Sequence, residues 1–244
     1  MIEKNLASFK IVLGKFTNQF YPLIVKLLQN EKSIDKWVLS FESLTNWLSF
    51  SNIEPFNNIL EFSNFIFDSF FVIIKQVKET PFFCSFLSIF LNFLSNLVSH
   101  ESISLYKQKP PLFFTTYLSV YPYLLQFESN IQKKNSLQTQ NQNWKEIEMI
   151  EKTKLSFFSS FCETCVEFIS FISSQGVILS NDLVKNVFKL LLEITNSDNI
   201  KFSSLTFDFW YEYSEQLINE TSLFQNGKKK NFFSTFFFLL FVFF

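Results

Sequence analysis

A chain of 244 residues with 48% hydrophobic and 18% charged residues is long enough to bury a sizeable core, and its balance fits neither a disordered tail nor a polytopic membrane protein. The formal charge is −1, every one of the 21 basic residues is lysine, and there are one histidine and three scattered glycines. That supply excludes sites built on a guanidinium fork, His-rich metal centres, and glycine-rich phosphate loops or dinucleotide fingerprints.

Phenylalanine is the outlying residue, at 37 copies, and with abundant Asn, Ile, Ser and Lys it reads as compositional drift in which Phe takes core positions usually held by Leu. The 37 rings exceed what helix stripes need, so part of the surplus is expected on the surface. Three cysteines, Cys84, Cys162 and Cys165, are an odd number in a glycine-poor chain and do not form a disulfide framework. The first residues, MIEKNLASFK, carry charge where a signal peptide needs its apolar stretch. Both features point to a reducing, intracellular setting.

In chain order, the periodicity is helical almost throughout. Trp37, Phe41, Leu44 and Leu48 follow one another at steps of four, three and four. Pro55 suits the first turn of a second helix, whose apolar stripe is Phe56, Ile59, Leu60, Ile66, Phe67, Phe70, Ile73, Ile74 and Val77. From Pro81 to Ser99 there is no charge, and length alone would admit a membrane span. However, Ser85, Ser88, Asn92, Ser95, Asn96 and Ser99 recur every three or four positions and make one polar stripe, opposite Phe83, Phe86, Leu87, Phe90, Leu94, Leu97 and Val98. An amphipathic helix, not a lipid-facing one, is therefore expected.

Pro111 to about Phe127 reads as a further helix, kinked at Pro122. The Asn- and Gln-rich stretch after it, bounded at 128–146, is expected to be a polar surface loop or insertion. Leu155, Phe158, Cys162, Cys165, Val166, Ile169 and Ile172 resume the helical spacing, and Gly176 ends it. Ser180, Asn181 or Asp182 can cap the next helix, with Val184, Val187, Phe188 and Leu191 on its buried side. After a turn at Ser197–Asn199, Phe202, Leu205, Phe209, Tyr213 and Leu217 mark another amphipathic helix. Seven or eight helices without strand alternation give an all-α fold. Successive pairs recur every 40–50 residues or so, the range of HEAT-type repeats, so a HEAT/ARM-like α-solenoid of stacked hairpins is expected, with a single closed bundle as the competing arrangement.

The polar and reactive residues form few constellations. Cys162-x-x-Cys165 has metal or redox spacing but no second pair, and both cysteines continue an apolar stripe, which makes them core residues. His100 follows a helix end and reads as a capping or surface residue. Trp37, Trp47 and Trp210 read as repeat core. Asp208, Glu212 and Glu215 sit on one helical face, about 120° from the apolar stripe, and Glu220 can extend them. They are either a solvated face or an acidic ladder for a basic partner. The lysines are dispersed apart from Lys228–Lys230, which argues against nucleic acid. No catalytic residue, cofactor-binding residue or metal ligand is identified, and no enzyme is expected.

Three segments in order, SFFSSFCETCVEFIS (Ser156–Ser170), LVKNVFKLLLEITNSDN (Leu183–Asn199) and SSLTFDFWYEYSEQL (Ser203–Leu217), resemble a stretch of importin-β-type (karyopherin) nuclear transport receptors, in particular the transportin-SR branch. The Leu-Thr-Phe-x-Phe-Trp-Tyr block at Leu205–Tyr211 is the most specific of these, and WVLSFESLTNWLSF (Trp37–Phe50) is similar to a repeat helix of the family that ends in Trp. The resemblance runs from about Phe16 to Leu217 and is carried least by Pro81–Glu146. It implies a HEAT-repeat superhelix in the nucleus and cytoplasm that imports protein cargo, contacts Phe-Gly pore proteins between its helices, and is regulated by Ran bound to GTP. The acidic face at Asp208, Glu212 and Glu215 would then meet basic cargo.

Such receptors are several times longer than this chain. Their amino-terminal Ran-binding repeats have no counterpart here, and neither does the arginine-rich helix of the transportin-SR branch. An internal fragment, a truncated paralogue or an incomplete gene model is expected. A helical-repeat scaffold unrelated to transport is the alternative. Residues 1–220 are assigned to the repeat region, and 221–244, with the Lys run and the Phe-rich end, to a tail outside the fold. That tail is read as a translated non-coding extension, a short hydrophobic anchor, or a segment docked on the last hairpin; its 13 final residues, about 20 Å as a helix, are too short to span a bilayer.

Overall fold

The computed structural model describes residues 59–99, 110–137, 144–176 and 182–224, together with Lys26, Ser33 and the stretches 35–40 and 42–43. Pro55, His100, Trp47, Lys228–Lys230 and the Phe-rich end lie outside the described residues. Among the described residues all regular structure is helical: α1 (Ile59–Val77), α2 (Phe83–Ser99), α3 (Pro110–Leu137), α4 (Trp144–Glu167), α5 (Ile169–Gly176), α6 (Asp182–Thr195), α7 (Ile200–Ser203), a 3-10 turn (Ser204–Thr206) and α8 (Phe207–Phe224). Residues 35–40 are also helical, and they bury Trp37. The chain is all-α, as the periodicity predicts.

α2 bears out its sequence pattern most directly. Phe83, Phe86, Leu87, Phe90, Leu94, Leu97 and Val98 are buried, along with Cys84, Leu91 and Phe93, whereas Ser85 and Asn92 are exposed. The wide apolar side is covered by protein, and no helix among the described residues is long and apolar enough to cross a membrane. Ser88, Ser95 and Asn96 depart from the expected outward stripe: all three are half-buried, and the Ser95 hydroxyl lies 2.8 Å from that of Ser160 on α4.

The stretch expected as a loop at 128–146 is corrected at both ends. α3 continues to Leu137 and α4 begins at Trp144, so 128–137 and 144–146 are helical, and 138–143 lie outside the described residues. Composition concealed this because the anchors are sparse. Ile131 buries one apolar side chain, and the Lys154 ammonium on α4 reaches both Glu128 carboxylate oxygens, at 2.9 and 3.0 Å. Gln, Lys and Glu are also good helix formers once one face is held. Pro122 is accommodated inside α3 on its exposed side, where solvent can satisfy the carbonyl that loses its amide partner.

The expected helix across 155–172 is interrupted. Phe168 falls between α4 and α5, its amide donating to the Thr164 carbonyl while its own carbonyl accepts from Phe171 and Ile172. The buried Phe168 ring meets Phe113 and Phe114 of α3, with centroids 5.4 and 5.9 Å apart. Likewise, the last amphipathic segment is three pieces. Asn199 caps α7 through its side-chain oxygen, which accepts the Lys201 amide, and the 3-10 turn then leads into α8. α8 runs to Phe224, past residue 220.

Packing alternates along the chain. The largest helix–helix interface joins α2 to α4, and α4 and α5 in turn contact α8. α3 contacts α6, and Phe67 of α1 reaches Phe113 of α3 at 5.7 Å. Sequence neighbours also touch: α1 with α2, α3 with α4, and α5 with α6. Aromatic rings pair across several helix seams. Phe70 of α1 stacks on Phe90 of α2, Tyr121 of α3 on Phe157 of α4, and Phe188 of α6 meets Phe209 and Tyr213 of α8 edge-on. Among the phenylalanines whose side chains are described, only Phe82 and Phe207 are exposed. The expected surface surplus is therefore small here, because ring-on-ring seams between helices absorb more aromatics than single stripes require.

One buried polar junction ties three helices together. The Tyr117 hydroxyl on α3 lies 2.7 Å from Ser160 Oγ and 3.1 Å from Thr164 Oγ1, and Ser160 Oγ also donates to the Leu91 carbonyl of α2 at 3.3 Å. Burial pushes the Tyr117 phenol up, so it stays protonated and keeps a proton to donate. In a low-dielectric interior such a satisfied cluster fixes the register of the helices that share it.

Candidate partner-binding face

The residues that the sequence offers for chemistry separate into core and surface. Cys162 and Cys165 are 3% and 0% exposed on the inner side of α4, and both carry free thiols. Burial raises Cys162 to about 12, with the neighbouring Glu163 carboxylate adding to it; burial raises Cys165 as well, with Cys162 beside it. Cys84 is also pushed up by burial, an effect partly opposed by a hydrogen bond with Thr153. Thiols in this state are poor nucleophiles and poor metal ligands. Among the described residues no three His, Cys, Asp or Glu side chains are grouped so as to hold a metal ion.

This makes a direct expectation. At pH 8 only about one Cys162 in ten thousand is thiolate when its pKa is near 12. Iodoacetamide should leave Cys162 and Cys165 of the folded protein unmodified over hours and label them promptly in urea, as read by peptide mass. Fast labelling of the native protein would mean that the α4 face is open.

The Leu205–Tyr211 block proves to be half scaffold and half surface. The Trp210 indole N–H donates to Thr195 Oγ1 at 2.9 Å; that hydroxyl donates to the Leu191 carbonyl at 2.8 Å and lies 3.1 Å from Thr206 Oγ1. Thr206, fully buried, donates to the Ser203 carbonyl at 2.9 Å. These bonds lock α6, the 3-10 turn and α8 together, and the buried Phe209 ring of α8 meets Phe188 of α6, centroids 6.2 Å apart. Trp210 is half-buried and packed on the core, and Trp37 is 4% exposed, so both are core-associated as expected.

The outward side of α8 carries the acidic residues. Asp208, Glu212 and Glu215 are all exposed, and the helical repeat puts them on one strip. Next to it lie Phe207 and Tyr211, 62% and 64% exposed. The three acidic residues expected from sequence are all exposed on α8, while the side chain of Glu220 lies outside the described residues. The flanking aromatics were not anticipated, although their spacing of four with Tyr211 following Phe207 is the signal that would have found them. α8 packs inward through Phe209, Tyr213 and Leu217, so this mixed acidic and aromatic face is carried by a helix anchored in the core.

A second polar seam is structural. Tyr121 of α3 donates to the Glu193 carboxylate of α6, and the Lys154 ammonium sits over the Phe202 ring, 5.7 Å from its centroid. Together with Glu128 these groups stitch α3, α4, α6 and α7 at the rim of the core. Comparison of the chain with known protein families, with curated proteins and with solved structures finds no match.

Proposed function

We propose that the chain is a HEAT-like α-solenoid that serves as a protein-binding scaffold, part of a nuclear import receptor of the importin-β kind. The observation that supports the solenoid is the alternation of contacts, with α1, α3 and α6 in one row and α2, α4–α5 and α8 in another. In a helical-repeat stack each hairpin hides the apolar face of its neighbour in this way. The transport assignment rests on the segments resembling the transportin-SR branch, above all Leu205–Tyr211. Its proposed partners are protein cargo, Phe-Gly pore proteins and Ran, and no catalysis is involved.

The face of α8 is the proposed contact for basic cargo. Three exposed carboxylates at a rim are worth a few tenths to about 1 kcal/mol each, chiefly as long-range attraction. Reversing all three as Asp208→Lys, Glu212→Lys and Glu215→Lys should weaken binding of a lysine-rich cargo peptide roughly tenfold or more at low salt. Far-UV circular dichroism should be unchanged, and the difference should shrink as salt screens the charges. Equal affinity at low salt would return these residues to a solvated helix face. A chain that binds the basic peptide but neither cargo proteins nor Phe-Gly segments would favour a scaffold outside transport. Binding to GTP-locked Ran is expected to be weak or absent for this chain alone.

A further inference from the structure

We draw no further inference here: the strongest candidate, the exposed Phe207 and Tyr211 strip beside the acidic cluster of Asp208, Glu212 and Glu215 on α8, carries nothing because nothing in the structure shows what covers it.

Discussion

Phe90→Ala is expected to lower folding stability by about 3–5 kcal/mol. The Phe90 side chain is fully buried at the centre of the α1–α2 seam, with its ring stacked on Phe70 at 3.4 Å and 8°, and with Phe67 and Phe93 each 6.0 Å away. Removing the ring forfeits its transfer free energy and leaves a cavity that three other rings cannot all relax into. Domains of this size are stable by only about 5–15 kcal/mol, so this loss is a large fraction of the total. Phe90→Leu keeps most of the volume and should cost about 1–2 kcal/mol. Urea midpoints with an unchanged slope provide the measurement. A loss below about 1 kcal/mol for the alanine variant would mean that the stack is not core.

Trp210→Ala should cost about 2–3 kcal/mol, less than a fully buried aromatic because the indole is half-buried. Two effects add. The ring leaves Phe209, Phe188 and Tyr213, whose centroids are 5.0, 6.2 and 6.4 Å away, and Thr195 loses the indole N–H it accepts. The Thr195 hydroxyl keeps the Leu191 carbonyl as acceptor, so no buried donor is stranded, and this limits the penalty. Trp210→Phe should recover the packing and leave a deficit of about 1 kcal/mol, the usual net worth of one hydrogen bond. If the phenylalanine variant is as unstable as the alanine variant, the indole N–H matters more than the seam. If neither variant loses stability, the Leu205–Tyr211 block is not what holds α8.

The contrast between α2 and α3 shows what the amino-acid pattern carries. In α2 a continuous apolar side and a regular polar stripe identify the helix and its buried face together, since both follow from one 3.6-residue period. The second half of α3 has almost no apolar repeat. Its helix depends on Ile131 and on the Glu128–Lys154 pair, a contact between residues 26 positions apart that no local pattern can announce. The break at Phe168 is invisible for a similar reason, because it follows from where the α3 rings Phe113 and Phe114 lie. Tyr117, Ser160 and Thr164 are separated by up to 47 positions, and small hydroxyls on an apolar stripe look like neutral substitutions until the helices are brought together.

The candidate site was more legible than the packing around it. Asp208, Glu212 and Glu215 needed only helical spacing to be placed on one strip. Whether Phe207 and Tyr211 joined them depended on how α8 is rotated against α6, which Thr195, Thr206 and Trp210 decide through side-chain bonds across an 11- and a 15-residue gap. The apolar neighbours of Cys162 and Cys165 place both on a buried helix side, and the structure has them buried there.

The stacked arrangement is tested most directly by one distance, between spin labels placed at Val72→Cys on α1 and Tyr211→Cys on α8, both exposed positions on helices at opposite ends of the proposed stack. The buried native thiols, all pushed up by burial, should stay unlabelled at neutral pH. Helices in contact lie 8–10 Å apart, so two steps along the rows separate the axes by about 20 Å, before the reach of the labels is added. The stack predicts a single distribution centred above about 25 Å. A distribution centred below about 15 Å would put α1 and α8 side by side, as in a closed bundle, and would contradict the solenoid.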